Sequence, residues 1–299
     1  MTLAAADIFA PFREFLRSLT LWDAVYPPGL ILFGTWLVRT SWGRKSLAGS
    51  HPRRNNMPLY LPFVLLLGYF GVMPLIMYAV RRASANLADW QAAALGNLTY
   101  SILAAATVAV SIILAREHFA RRLKGFGLDP RTILRDIPAA FVNLLTVWPL
   151  FMVLIVVTVY VSRLFWQEYQ MQPHEQLQLV SAHPQLLLQI SVVAVAVVMA
   201  PLVEEVLFRG MFQTAMRVFL GAYWVAEKSG SNRSLVAWTA IGVTSVLFAV
   251  VHADAGHWPV LFVLSLCLGY AYEKSGSLVR PIVIHAIFNG IMVLSTMSQ

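Results

Sequence analysis

The sequence predicts an all-α fold, a polytopic transmembrane helical bundle of about eight spans. Three observations predict it. The 299-residue chain is 59% hydrophobic and only 12% charged, whereas a soluble domain carries about 25% charged residues. Its mean hydropathy is +0.68, too much apolar surface for a single water-facing core. Uncharged stretches such as the 18 residues from Leu186 to Val203 are long enough to cross the hydrocarbon core as helices. A transmembrane barrel would show short alternating segments instead.

In chain order, residues 1–21 set Asp7, Arg13, Glu14 and Arg17 among Phe9, Phe12, Phe15 and Leu16, the pattern of an interfacial amphipathic helix. No apolar run follows a basic start there, so a cleavable signal peptide is not expected. Spans are expected at 24–42, 57–80, 93–115, 138–161, 186–219, 235–252, 260–272 and 281–297. The fifth is longer than a bilayer needs, so its last part should leave the hydrocarbon. The turns between spans carry Gly125, Gly127, Asp129-Pro130, Asp254 to Pro259, and Lys274 to Ser277. Four spans make an N-terminal region, 1–185, and four a C-terminal region, 186–299.

The net charge of +8 does not indicate a nucleic-acid partner, because the basic residues cluster in loops. Loops one, three, five and seven hold 5, 6, about 3 and 2 Lys or Arg. The N-terminus and loops two, four and six hold 2, 2, 1 and 0. The positive-inside rule therefore puts the first group in the cytoplasm and both termini on the far side. The partner implied throughout is the lipid bilayer. Cys267 is the only cysteine, so neither an intrachain disulfide nor a cysteine zinc site is expected.

Three polar islands interrupt the last four spans: Glu204-Glu205 with Arg209, Phe248 with His252, and His285 with Asn289. A carboxylate at the bilayer centre costs from ~2.5 to more than ~10 kcal/mol, so it faces a protein interior or wet cavity and has partners. On an α-helix Glu205 and Arg209 are i and i+4 neighbours, and Glu204 points about 100° away. Arg209 can thus neutralise Glu205 and leave Glu204 free to act as a general base. His285 and Asn289 share a face and offer two donors for a developing oxyanion. The bland alternative is an ion-pair knot and polar bridges that lock helices together.

Other chemistries are weaker. Glu204, His252 and His285 could supply three zinc ligands, but no H-E-x-x-H is present. There is no G-x-S-x-G for a serine hydrolase, and no span centre carries an aspartate for an aspartyl pair. A proton-coupled transporter would use the same buried Glu, Arg and His, yet no paired broken helices occur in matching halves. His51, His118, His174, His183 and His257 fall in loops or at interfaces. One point resists a simple reading. Glu204 lies ~25 Å down its span, by the helical rise of 1.5 Å per residue, and His252 lies equally far along a span that runs the other way. A displaced fifth helix, or a sixth that begins inside the membrane, would bring them level.

The ordered motifs E-E-x-x-x-R (Glu204, Glu205, Arg209), F-x-x-x-H (Phe248, His252) and H-x-x-x-N (His285, Asn289) resemble the CPBP family. These are the type II CAAX prenyl endopeptidases and bacteriocin-processing proteins, also called Abi. The stretch from Gly269 to Ser277 is also similar, and the resemblance covers about 186–296. It implies an intramembrane endopeptidase acting on a membrane-associated peptide or lipidated protein. Glu204 would activate water, His252 would orient it, and His285 and Asn289 would stabilise the oxyanion. Glu205, Arg209 and Phe248 would support the site. Members have been described both as metalloproteases and as metal-free glutamate proteases. The resemblance favours the second, so no cofactor is required, with zinc as the alternative. A non-catalytic scaffold or immunity protein with the same motifs is the remaining reading.

Overall fold

The computed structural model describes residues 21–168, 183–223, 230–252 and 254–297. The predicted interfacial helix and His174 lie outside them. The described residues form eight long helices: α1 Leu21–Arg39, α2 Leu61–Ala83, α3 Asp89–His118, α4 Ile133–Phe165, α5 Leu186–Ala222, α6 Gly230–Val250, α7 Trp258–Ser275 and α8 Val279–Met297. No strand occurs among them. The helices α2 to α8 are long and apolar enough to cross a membrane, and α1 falls on the first predicted span.

Several boundaries differ from expectation for local reasons. The first helix stops at Arg39, short of Trp42, because Ser41, Trp42 and Gly43 take φ values of 52°, 58° and 81°, which no right-handed helix can contain. The predicted turn at 254–259 shrinks to a 3-10 turn, Ala255–His257, closed by the Asp254 carboxylate accepting from the Gly256 N–H. Trp258 then starts α7, with Pro259 in the first turn, where its missing N–H costs nothing. The polar loop expected at 227–234 is shorter, since α6 begins at Gly230.

Long-range packing divides the bundle into two parts. Trp148 and Phe151 of α4, Leu264 and Leu268 of α7, and Ile284 and Phe288 of α8 form one core, with Val25 and Tyr26 of α1 against it. Leu66 and Tyr69 of α2, Ala104 and Val108 of α3, Val203, Leu207 and Phe208 of α5, and Phe248 of α6 form the other. Helix α5 packs against α2, α3, α6 and α8, so it runs between the two cores. The polar site lies there.

At one end of the bundle, loops one, three and seven and the start of α6 are tied together. The Arg53 guanidinium donates to the Gly125 carbonyl at 2.9 Å and lies 4.0 Å over the Tyr272 ring. Lys274 donates to the Ser46 carbonyl at 2.7 Å, and the Leu278 N–H to the Gly127 carbonyl at 2.8 Å. Arg233, near the start of α6, meets His51 of loop one at 3.3 Å. Loops one, three and seven and the start of α6 therefore share one side, as the alternation of spans requires. Two buried ion pairs lie near this end: Arg217 with Glu273 at 3.2 Å, and Arg280 with the fully buried Asp136 at 2.8 Å. Asp136, two residues ahead of the expected fourth span, lies inside α4. Outside the spans, the nearby ammonium of Lys124, 3.0 Å away, holds the Asp129 carboxyl below its usual range, aided by the Arg131 N–H.

Gly210 is the tightest contact in this region. A Cβ there would sit 2.3 Å from Phe126 Cζ, and Phe126 is itself fully buried. Gly210→Ala should therefore destabilise the protein by about 1–3 kcal/mol through overpacking. Thermal unfolding in mild detergent would show it, and Phe126→Leu in the same chain should recover part of the loss.

Candidate active site

The α5 backbone is not a plain α-helix. It widens into π turns at Ala194–Met199 and Val206–Gln213, on either side of the α-helical turn Ala200–Glu205 that carries both glutamates. Such turns leave carbonyls without their i+4 partner and recur at functional sites. Asn289 of α8 donates its amide to the Ala196 carbonyl at 2.8 Å, and the Thr214 hydroxyl donates to the Arg209 carbonyl at 3.2 Å. Asn289, expected at an oxyanion, thus spends one N–H on the opened backbone and keeps one.

Glu205 and Arg209 pair as the spacing predicts. Arg209 Nη1 donates to Glu205 Oε1 at 2.8 Å, with both side chains fully buried. Arg209 Nη2 donates to the Ser265 hydroxyl at 2.6 Å, and the Arg209 guanidinium lies 4.7 Å over the Phe248 ring. His285 Nδ1 is 2.8 Å from the same Glu205 oxygen. Its Nε2 faces Glu204 Oε2 at 3.9 Å, beyond hydrogen-bond reach. His285 therefore stands between the two carboxylates. Glu205 is committed to Arg209 and His285. The Glu204 side chain is 13% exposed, and its Oε2 is buried with no hydrogen-bond partner.

The motif residues meet as follows. Phe248 packs edge-on against His285 at 5.8 Å between ring centroids, against Phe208 at 5.1 Å, and beside His252 at 4.8 Å. His252 Nδ1 turns back to the Phe248 carbonyl at 2.6 Å, which leaves Nε2 as its free ring nitrogen. The structure joins His252 to the cluster through Phe248; no hydrogen bond or ion pair links it to Glu204 among the described residues. The depth problem resolves through the length of α5. Helix α5 runs on past Arg209 to Ala222, and α6 returns alongside it, which brings Phe248 level with Phe208 and Arg209. His257 instead pairs with Asp254 at 2.9 Å, apart from the site.

Among the described residues no three His, Cys, Asp or Glu side chains are gathered as a metal would need. The Glu205 bond to His285 Nδ1 leaves Nε2 available, and it faces Glu204 at 3.9 Å. Ser265 was missed from sequence, being one hydroxyl in an apolar span. So were Tyr69 of α2 and Tyr100 of α3, whose hydroxyls hydrogen-bond each other in the core that includes Val203 and Leu207. A polar-tipped aromatic in mid-span was the available signal for both.

A helical membrane bundle with two glutamates, an arginine and a histidine buried between its two cores is the class of protein these observations define. Residues 186–291, about a third of the chain, match the family model described as type II CAAX prenyl endopeptidase Rce1-like. The membrane-embedded CAAX protease MroQ of Staphylococcus aureus (strain USA300) is 33% identical over 97 residues, 32% of this chain and 36% of MroQ. The chain thus matches only about a third of the length of that curated relative. No solved structure matches.

Proposed function

We propose that this protein is an intramembrane endopeptidase in which Glu204 activates the water that hydrolyses a peptide bond of a membrane-associated polypeptide. The observation that carries the reading is the unequal standing of the two carboxylates. Glu205 gives its Oε1 to Arg209 and His285, and only its Oε2 lacks a partner; Glu204 makes no hydrogen bond at either oxygen among the described residues, and its Oε2 is buried. A buried acceptor in native structure is nearly always satisfied, so this one fits a water or substrate group. The family match, and the CAAX protease in the relative's name, support the same chemistry.

The step balances as follows. Glu204 takes a proton from water, and the oxygen attacks the scissile carbonyl carbon. The proton moves through His285 Nε2 to the leaving amide nitrogen, the C–N bond breaks, and Glu204 is again a carboxylate. Glu205 stabilises the imidazolium that forms transiently between them. His285 and the second N–H of Asn289 face the oxyanion, and His252 orients the water through Nε2. The substrate is a membrane-borne peptide or lipidated protein, and the basic loops face the cytoplasm, with both termini opposite.

Purified protein, stripped of metal and assayed against a panel of C-terminal and leader peptides in lipid, tests this. Cleavage without added metal is the expected result. Turnover that returns only with zinc would replace the glutamate mechanism. Absence of all cleavage, with proton flux across liposomes, would replace the protease.

A further inference from the structure

The site as described is short of hydrogen-bond donors. With its Nδ1–H given to Glu205, a neutral His285 presents a lone pair at Nε2, and it donates there only once protonated. Asn289 has one N–H left after its bond to Ala196. Oxyanion stabilisation ordinarily uses two or more fixed donors.

The N-terminal spans supply another. Tyr69 of α2 and Tyr100 of α3 join their hydroxyls to each other. Two hydroxyls carry two hydrogens, and their mutual bond uses one. The pair therefore holds one unspent O–H. Tyr69 is 7% exposed and packs in the same core as Val203, Leu207 and Phe248, the residues that flank Glu204 and carry the ring beside His285. It sits in a third π turn, Gly68–Val72, whose Phe70 packs edge-on against Phe208 of α5. Helix α3 packs directly on Ala200–Glu205. Neither hydroxyl hydrogen-bonds Glu204 among the described residues. The spare donor and the unpartnered Glu204 oxygen thus belong to helices packed in one core.

We propose that the Tyr69–Tyr100 pair forms the third wall of the active site and donates its spare hydroxyl hydrogen to the oxygen of the scissile carbonyl as the tetrahedral intermediate forms. This rests on the endopeptidase reading above. The phenols keep their protons throughout, so the reaction's proton count is unchanged. The pair also gives the first four spans a part in the chemistry, although only residues 186–291 match the family.

The test uses the full chain with Tyr69→Phe, Tyr100→Phe and both together, beside wild type and Glu204→Gln, on a peptide that wild type cleaves. Each single variant should lower kcat by about 10–10³-fold, the range for loss of one oxyanion donor. KM should stay within about threefold, and the pH–rate profile should keep its position. Because the pair is one donor, the double variant should be no slower than the worse single one, a non-additivity expected of residues acting as a unit. Thermal unfolding in detergent should match wild type within a few degrees. Activity within twofold of wild type in both single variants overturns the proposal. So does a loss confined to KM, a shifted pH profile, or a loss that tracks unfolding. If wild type cleaves and Glu204→Gln does not, the endopeptidase reading stands whatever the tyrosine variants do. If wild type cleaves no peptide, that reading fails first.

Discussion

Replacing Glu204 by Gln should abolish peptide cleavage and leave the bundle folded. The loss should be at least the 10²–10⁴-fold that a positioned general base contributes, and larger if the amide also misorients the water. Folding should survive because Glu204 holds nothing in place. It makes no hydrogen bond among the described residues, and the His285 Nε2 that it faces is 3.9 Å away. Removing that carboxylate even relieves the desolvation of a partly buried charge. Initial rates on a cleaved peptide and a detergent melting curve, taken on the same preparation, are the two measurements. Turnover near wild type in Glu204→Gln would end the mechanism. Equal loss of activity and melting temperature would make Glu204 a structural residue.

Arg209→Leu should be the most destabilising single change in the site, by about 3–5 kcal/mol, the usual cost of removing one partner of a buried ion pair. The guanidinium is fully buried. It satisfies the Glu205 carboxylate, the Ser265 hydroxyl and the face of Phe248 together. Without it, Glu205 keeps only His285, and its Oε2 already has no partner. The comparison that isolates the pair is Glu205→Met with Arg209→Leu. The double variant should unfold at a temperature well above the single Arg209→Leu chain, because no uncompensated charge remains. It should still fail to cleave, since His285 has lost the carboxylate that fixes its ring. A double variant as unstable as the single would mean that packing, and not charge, sets the cost.

Much of this was legible in the letters. The number of long helices follows from runs of apolar residues, and the sharing of one side by the basic loops follows from their alternation. The division of labour between Glu204 and Glu205 follows from four residues of spacing to Arg209. Three things were not legible. The π turns of α5 leave no mark in hydrophobic periodicity, so the bond that holds Asn289 to Ala196 could not be anticipated. Asp136 stands two residues ahead of the expected fourth span, yet Arg280, 144 residues on, draws it into the interior. Ser265 reaches Arg209, and Tyr69 joins Tyr100, from helices without any motif, and only tertiary packing reveals them.

The widened turns of α5 have a consequence for reading relatives of this chain. Each sets the angular phase of everything that follows. Helix α5 is pinned upstream by Asn97, which donates to Ser191 at 3.0 Å. Deleting one residue between Ala194 and Met199 would swing the glutamates by about 100° about the axis. They would turn away from His285 with every motif letter intact. In this fold the catalytic inventory is written in the length of a helix as much as in its composition, so a sequence can keep the signature and lose the site through a single gap.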